Sequence, residues 1–219
     1  IYKKINYICL TEFTKDKIKS VVDPERVYIK PNFVYDQKGL NQAEDYYIFV
    51  GRVEEIKGVN VLVDAFRSMP SKKLKIVGKG DMSEYIAARL EKENIHNIEL
   101  LGFKPNDEVN ALLKHAKALI MCSQWYETFG MVVAEAYSNG LPAIVGRIGN
   151  IKDLVEESVT GELFTYDDPK DLIAAVERFE SKPQADYSKN AYDFYCRNLT
   201  GEKNYITLRT IYEQVKGGR

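Results

Sequence analysis

Glu127 and Glu135 stand eight positions apart in the run Ser123-Gln124-Trp125-Tyr126-Glu127-Thr128-Phe129-Gly130-Met131-Val132-Val133-Ala134-Glu135-Ala136. The pattern predicts Glu127 in a loop, Gly130 in the first turn of a helix, and Glu135 inside that helix. Bare N–H groups at such a start favour an anion, and the missing side chain lets it approach. At helical rise the two carboxylates lie roughly 12 Å apart. That span fits a sugar at one end and a ribose at the other, with a diphosphate between. A plainer interpretation has Glu127 capping the helix and Glu135 merely on the surface. Against it, Val132, Val133, Ala134 and Ala136 give Glu135 apolar neighbours on both sides, and a carboxylate in so apolar a helix needs a partner.

Three further runs lie where strands are predicted to end, the edge on which open parallel sheets bind ligands. In Gly51-Arg52-Val53-Glu54-Glu55-Ile56-Lys57-Gly58, two cations five positions apart precede a glycine that opens a helix. Fixed charge and free N–H groups together suit a phosphate. A solvated loop, with both cations paired to Glu54 or Glu55, fits the spacing as well. Val77-Gly78-Lys79-Gly80-Asp81 permits a tight turn into a helix that Asp81 could cap. It lacks a full GxGxxG, so a structural turn is the better reading. Gly140-Leu141-Pro142-Ala143 and Gly146-Arg147-Ile148-Gly149-Asn150 supply a helix stop and the next strand-to-helix loop.

Positioning these runs requires short strands alternating with amphipathic helices. Strands are predicted at 7–10, 27–29, 46–50, 74–77, 98–101, 118–121, 143–145 and 162–164. Helices are predicted at 14–21, 58–69, 82–93, 108–115, 131–138, 151–156, 171–179, 187–197 and 203–215. The alternation predicts right-handed βαβ units and an α/β fold with a Rossmann-like parallel sheet flanked by helices. Residues 35–44 are polar and aperiodic and read as a linker. They separate a β-α-β fragment at 1–34 from a Rossmann-like βα domain at 45–185, followed by C-terminal helices at 186–219. A two-stranded fragment cannot bury both of its faces, so 1–34 looks like the edge of another domain. The sequence opens on Ile1 rather than Met, which leaves room for that domain upstream.

Composition narrows the partners. The 219 residues carry 31 basic and 32 acidic side chains, for a formal net charge of −1, so no global attraction to nucleic acid or acidic lipid is implied. Cys9, Cys122 and Cys196 are widely spaced and form no CxxC pair, which argues against a disulfide framework or a zinc site. His96 and His115 sit in or beside predicted helices, away from the strand-end edge. No signal peptide and no apolar run of membrane-spanning length is visible, so a cytoplasmic location is expected.

Taken in order, these runs resemble the retaining glycosyltransferases of family 4, which have the two-domain GT-B fold. Tyr7-Ile8-Cys9-Leu10-Thr11 through Pro31-Asn32 resembles the closing β-α-β of that family's N-terminal domain. The Gly51-Arg52…Lys57-Gly58 loop and the Leu100-Leu101-Gly102-Phe103 strand end also match. Most specific is Glu127-Thr128-Phe129-Gly130…Glu135-Ala136 with Gly140-Leu141-Pro142, the family's Glu-x7-Glu signature. The resemblance implies that Gly51, Arg52 and Lys57 meet the donor diphosphate, with the two cations neutralising it as it departs. It implies that Glu127 meets the donor sugar, helped by Thr128 and by the N–H groups of Phe129, Gly130 and Met131. Glu135 would take the ribose hydroxyls, and the backbone near Lys104 would read the base.

The implied reaction is metal-independent transfer of a glycosyl group from a nucleotide-diphosphate sugar, with retention and no cofactor. Its acceptor would be a sugar, lipid or polysaccharide, and the sequence has no clustered Asp or His ligand set. Asn150 departs from the second glycine usual after Gly149; Asn tolerates left-handed geometry, which would preserve the turn. The family's N-terminal Gly-rich loop and acceptor-side residues have no counterpart here, so this chain alone is expected to bind donor without transferring it. Contact with the inner face of a membrane is left open, and the chain is expected to shield its exposed patch by self-association or a crystal contact through 1–34 and 187–215. The alternative is a non-catalytic nucleotide-sugar-binding module or subunit. A dehydrogenase fits poorly, because no complete GxGxxG follows the first strand.

Overall fold

Each predicted apolar run becomes a strand, and every pairing between strands is parallel. The computed structural model describes residues 4–39 and 41–217; Ile1, Tyr2, Lys3, Leu40, Gly218 and Arg219, which fall in the predicted terminal segments and linker, lie outside the described residues. β1 (Tyr7–Cys9) and β2 (Val27–Ile29) pair with each other. A six-stranded sheet comprises β3 (Tyr47–Val50), β4 (Leu74–Val77), β5 (Ile98–Gly102), β6 (Leu119–Met121), β7 (Ala143–Gly146) and β8 (Gly161–Phe164). Its order is β5-β4-β3-β6-β7-β8. The chain therefore winds outward from β3, returns to lay β6 beside β3, and winds outward the other way. Loops leaving β3 and β6 diverge, and such a reversal leaves a crevice at the carboxyl ends of the two strands.

Period-two alternation along the strands divides the core between the two faces. Tyr47, Phe49, Ile76, Ile120 and Ile144 point to one side. There they meet Phe66 of α2 (Val59–Arg67), Ile86 of α3 (Ser83–Lys92) and Phe179 of α6 (Pro169–Glu180). Ile48, Val77, Leu119, Met121 and Val145 point to the other side. They pack with Leu113 of α4 (Asn106–His115), Tyr137 of α5 (Met131–Ser138) and Tyr195 of α7 (Gln184–Asn198).

Several boundaries differ from their predicted places. The Thr11 hydroxyl accepts from the Thr14 N–H, so α1 runs Glu12–Ile18 rather than starting at residue 14. Asp81 caps nothing: the residue before α3 is Met82, and the N–H of Gly80 bonds the Ser83 hydroxyl instead. The helix expected at 151–156 is only a 3-10 turn, Ile151–Leu154, closed by Val155 in extended geometry.

The last helices hold the segment after β2. Val34 N–H donates to Leu199 O at 3.1 Å, Tyr195 OH donates to Val34 O at 3.1 Å, and Asn204 of α8 (Gly201–Gly217) donates to Pro31 O at 2.6 Å. Tyr205, Ile206 and Tyr212 of α8 remain exposed, as do Ile8 of β1 and Val21. Residues 35–44 form neither helix nor strand where described, yet they are tied down: Gln42 N–H bonds Lys114 O at 2.9 Å and Glu44 N–H bonds His115 O at 2.7 Å. Among the described residues no helix is long and apolar enough to cross a membrane.

Gly58 starts α2 in left-handed geometry, φ +69°, and a Cβ there would sit 1.9 Å from the Cys122 carbonyl oxygen just past β6. Both the sign of φ and the backbone contact demand glycine. Gly58→Ala is expected to cost about 2–3 kcal/mol in denaturant unfolding. Gly51, at ordinary φ with 3.4 Å of clearance to Phe49, should tolerate Ala at a cost under about 1 kcal/mol. Equal losses in the two variants would refute this account of the β3–β6 junction.

Candidate functional site

A cleft of about 270 Å³ opens at the carboxyl ends of β3 and β6, where the winding reverses. Gly51, Arg52, Lys57, Glu127, Thr128, Phe129, Gly130 and Met131 all line it. They come from two loops, one following each strand. The strands fix the loop origins, and Gly58 locks the end of the first loop against the second.

The two cations behave differently. Arg52 pairs with Glu54 at 2.6 Å while its own side chain stays 64% exposed. Lys57 bonds neither Glu54 nor Glu55; its Nζ lies 2.5 Å from Glu127 Oε1, both side chains being only 18% exposed. Ser123 Oγ donates to the same carboxylate oxygen at 2.6 Å. Glu127 is thus held in the cleft wall by an ion pair and a hydroxyl, and caps no helix. That position falls to Gly130, at φ +99°, with no side-chain cap. Among the described residues the N–H groups of Gly130 and Met131 have no acceptor, and both residues line the cleft. Unpaired amides and an ammonium on one cleft wall make a site for an anion.

Glu135 lies in α5, on an adjoining cleft of about 290 Å³ lined also by Phe33, Tyr35, Asn106 and Asn110. Met131 borders both clefts, so they adjoin along one face of α5. Desolvation raises the Glu135 pKa above the usual glutamate value. The partner that an apolar helix should provide is missing: among the described residues its carboxylate has no hydrogen bond and no ion pair.

The family model for glycosyl transferases, group 1, matches residues 33–194, well over half of the chain. The chain belongs to that family. It is 26% identical over 211 residues to an uncharacterised glycosyltransferase of Methanocaldococcus jannaschii, covering 95% of this chain and 59% of that protein. It is 29% identical over 199 residues to the N-acetyl-alpha-D-glucosaminyl L-malate synthase of Bacillus anthracis, covering 87% of this chain and 51% of that protein. It therefore spans between half and three fifths of these two relatives. The structure of Anabaena HepE solved with UDP superposes with a TM-score of 0.82 at 18% identity, over 96% of this chain and 63% of that one. The fold is that of GT-B glycosyltransferases.

The other residues of the chain sort plainly. Lys104 follows β5 and its side chain turns to Glu108 at 2.9 Å, lining neither cleft. His115 sits beside the Gln42 carbonyl, and His96 lies in a surface hollow with Pro70 and Asn97. Cys9 and Cys122 are buried, which raises both thiol pKa values, and Cys196 is exposed. A larger hollow of about 470 Å³ lies between the 39–43 segment and α7, and none of the candidate site residues line it. Ser123 and Asn32 line the first cleft without a role assigned from sequence. Ser123 was findable, since it directly precedes the Glu127 loop at a strand end. Asn150 is the larger omission: its backbone is right-handed, φ −73°, and the left-handed turn falls on Gly149, φ +53°. Left-handed tolerance is not what position 150 uses.

The desolvated Glu135 gives a test through pH. A carboxylate with a raised folded pKa binds more protons folded than unfolded between its usual and its raised value. Stability then falls as pH rises through that window. Glu135→Gln should melt higher than the wild type at neutral pH, and the difference should close as pH drops to the usual glutamate range. A variant melting lower at pH 7 would show that the charged side chain is satisfied in the fold.

Proposed function

We propose that the two adjoining clefts bind a nucleotide-diphosphate sugar, and that the chain is the donor-binding part of a retaining glycosyltransferase of family 4. One observation carries it. A desolvated carboxylate without a partner and a run of unpaired N–H groups lie on the same helix, at the point where the sheet's winding reverses. In this reading Glu135 takes the ribose hydroxyls, supplying in the ligand the donors that the fold withholds. The diphosphate lies over the start of α5, reached by Lys57 and Arg52, and the hexose meets Glu127. Arg52 is exposed enough to leave Glu54 for a phosphate at little loss.

The bond that breaks joins the anomeric carbon to the diphosphate oxygen, which leaves with the bonding pair; the bond that forms joins that carbon to an acceptor hydroxyl oxygen on the same face, whose proton passes to the leaving diphosphate. Negative charge develops on the leaving diphosphate. Lys57, Arg52 and the α5 amides stand where that charge grows, and preorganised donors of this kind lower a barrier most when little water intervenes. We further propose that no metal takes part, these cations acting in its place. UDP occupies the matched HepE structure, which makes a uridine donor the first to try. The acceptor is proposed to be a sugar, lipid or polysaccharide, and the location cytoplasmic.

Titration calorimetry with UDP, GDP and their glucose conjugates tests the assignment. Lys57→Ala and Arg52→Ala should each weaken nucleoside diphosphate binding by roughly 1.5–3 kcal/mol. Glu135→Gln should weaken the bare diphosphate and the sugar conjugate alike, whereas Glu127→Gln should spare the bare diphosphate. Unchanged affinity in both cation variants would end the proposal.

A further inference from the structure

We propose that Asn150 is a positioning residue for Glu127, fixing the donor loop and tying it to the start of α1. The inference rests on the reading of Glu127 as the residue that meets the donor sugar. Asn150 is 5% exposed, and its side-chain amide is fully used. Nδ2 donates to Glu127 O at 2.5 Å and to Thr128 O at 3.1 Å. Oδ1 accepts from the Thr11 hydroxyl and from Thr14 Oγ1, the latter at 3.0 Å. A primary amide has two donors and two acceptor lone pairs, so no valence is left over. Two successive carbonyls held by one nitrogen fix two peptide planes, and with them the direction in which the Glu127 side chain leaves the backbone. A glycine at 150 could make none of these four contacts.

The contact at α1 is not a single one. Phe13 N–H donates to Asp153 Oδ2 at 3.2 Å, from the same turn as Asn150. The Phe13 ring meets Tyr126 edge-on at 5.0 Å between centroids, and Lys17 Nζ lies 5.0 Å and 5.5 Å from the two ring centres. Gly149 packs under Tyr126, where a Cβ would come within 3.0 Å of the ring. The first turn of α1 therefore grips the loop at Tyr126, before Glu127, and through Asn150 at Thr128, after it. Glu127 is bracketed. Its Lys57 and Ser123 contacts hold the carboxylate, and Asn150 holds the backbone that carries it.

The test uses the 219-residue chain with Asn150→Ala, Thr11→Val, Thr11→Ser and, as a surface control in the same loop, Arg147→Ala. Arg147 bonds Glu157 on the surface and lines neither cleft. Order parameters of the backbone N–H groups of residues 127–129 are measured by NMR relaxation without ligand, and affinities for UDP and UDP-glucose, GDP and GDP-glucose are measured by calorimetry. Expected are order parameters at 127–129 that fall from the rigid range, about 0.85, to below about 0.6 in Asn150→Ala and Thr11→Val, with Thr11→Ser and Arg147→Ala unchanged. Affinity for the sugar conjugate should fall about tenfold while that for the bare nucleoside diphosphate changes less than about twofold. Should Asn150→Ala not fold, Thr11→Val carries the same readings. Unchanged order parameters in both variants overturn the proposal, and so does an equal loss for diphosphate and conjugate, which would mark general loosening. If the wild type binds none of the four ligands, the donor reading fails and the order parameters alone decide whether Asn150 positions the loop.

Discussion

The ion pair between Lys57 and Glu127 joins the two loops that part where the winding of the sheet reverses. Lys57 comes from the turn after β3 and Glu127 from the loop after β6, so the pair spans the crevice that the topology opens. Charges drawn this far out of water cost several kcal/mol each unless their attraction and further hydrogen bonds offset it. Ser123 contributes one such bond to the same carboxylate oxygen. On the proposed function, a diphosphate competes with Glu127 for Lys57, and the released carboxylate then requires a new donor. A hexose hydroxyl is one. The pair therefore holds the cleft in shape with groups that, on that proposal, a donor divides between its two ends.

Backbone geometry explains why anion-binding groups stay free. α2 and α5 both begin at a glycine in left-handed conformation, Gly58 and Gly130, and neither start has a side-chain cap. Most N-caps satisfy an N–H with their own oxygen; a glycine cannot. Two helix starts beside one cleft add partial positive charge to that of Arg52 and Lys57.

The sheet was legible because each strand is a short apolar run bounded by polar or glycine residues, and α5 matches its predicted span to the residue. Helix starts were less so: Thr11 caps α1 earlier than the apolar pattern indicates. Clustering of Gly51 and Arg52 with Glu127 through Met131 followed from their common place at strand ends. The pairing of Lys57 with Glu127 did not, since Glu54 and Glu55 were nearer in sequence and only the β3–β6 adjacency brings position 127 within reach. Asn150 was opaque for the same reason. An asparagine in a turn is read from its backbone preference, whereas here the side chain matters, and its partners at Thr11 and Thr14 lie some 140 positions away.

The two glutamates of the site differ in what the fold gives them. Glu127 has an ammonium and a hydroxyl within 2.6 Å, and Asn150 holds its backbone. Among the described residues the Glu135 carboxylate has no partner, only a cleft that removes part of its water, which pushes its pKa upward. Packing alone would favour a neutral side chain there, and cores rarely keep an uncompensated carboxylate. Such a group is tolerable because it is only partly buried, and on the proposed function it becomes favourable when hydroxyl donors enter the cleft. The stability forgone at Glu135 is the counterpart of affinity: whatever supplies those donors gains what the empty protein lacks.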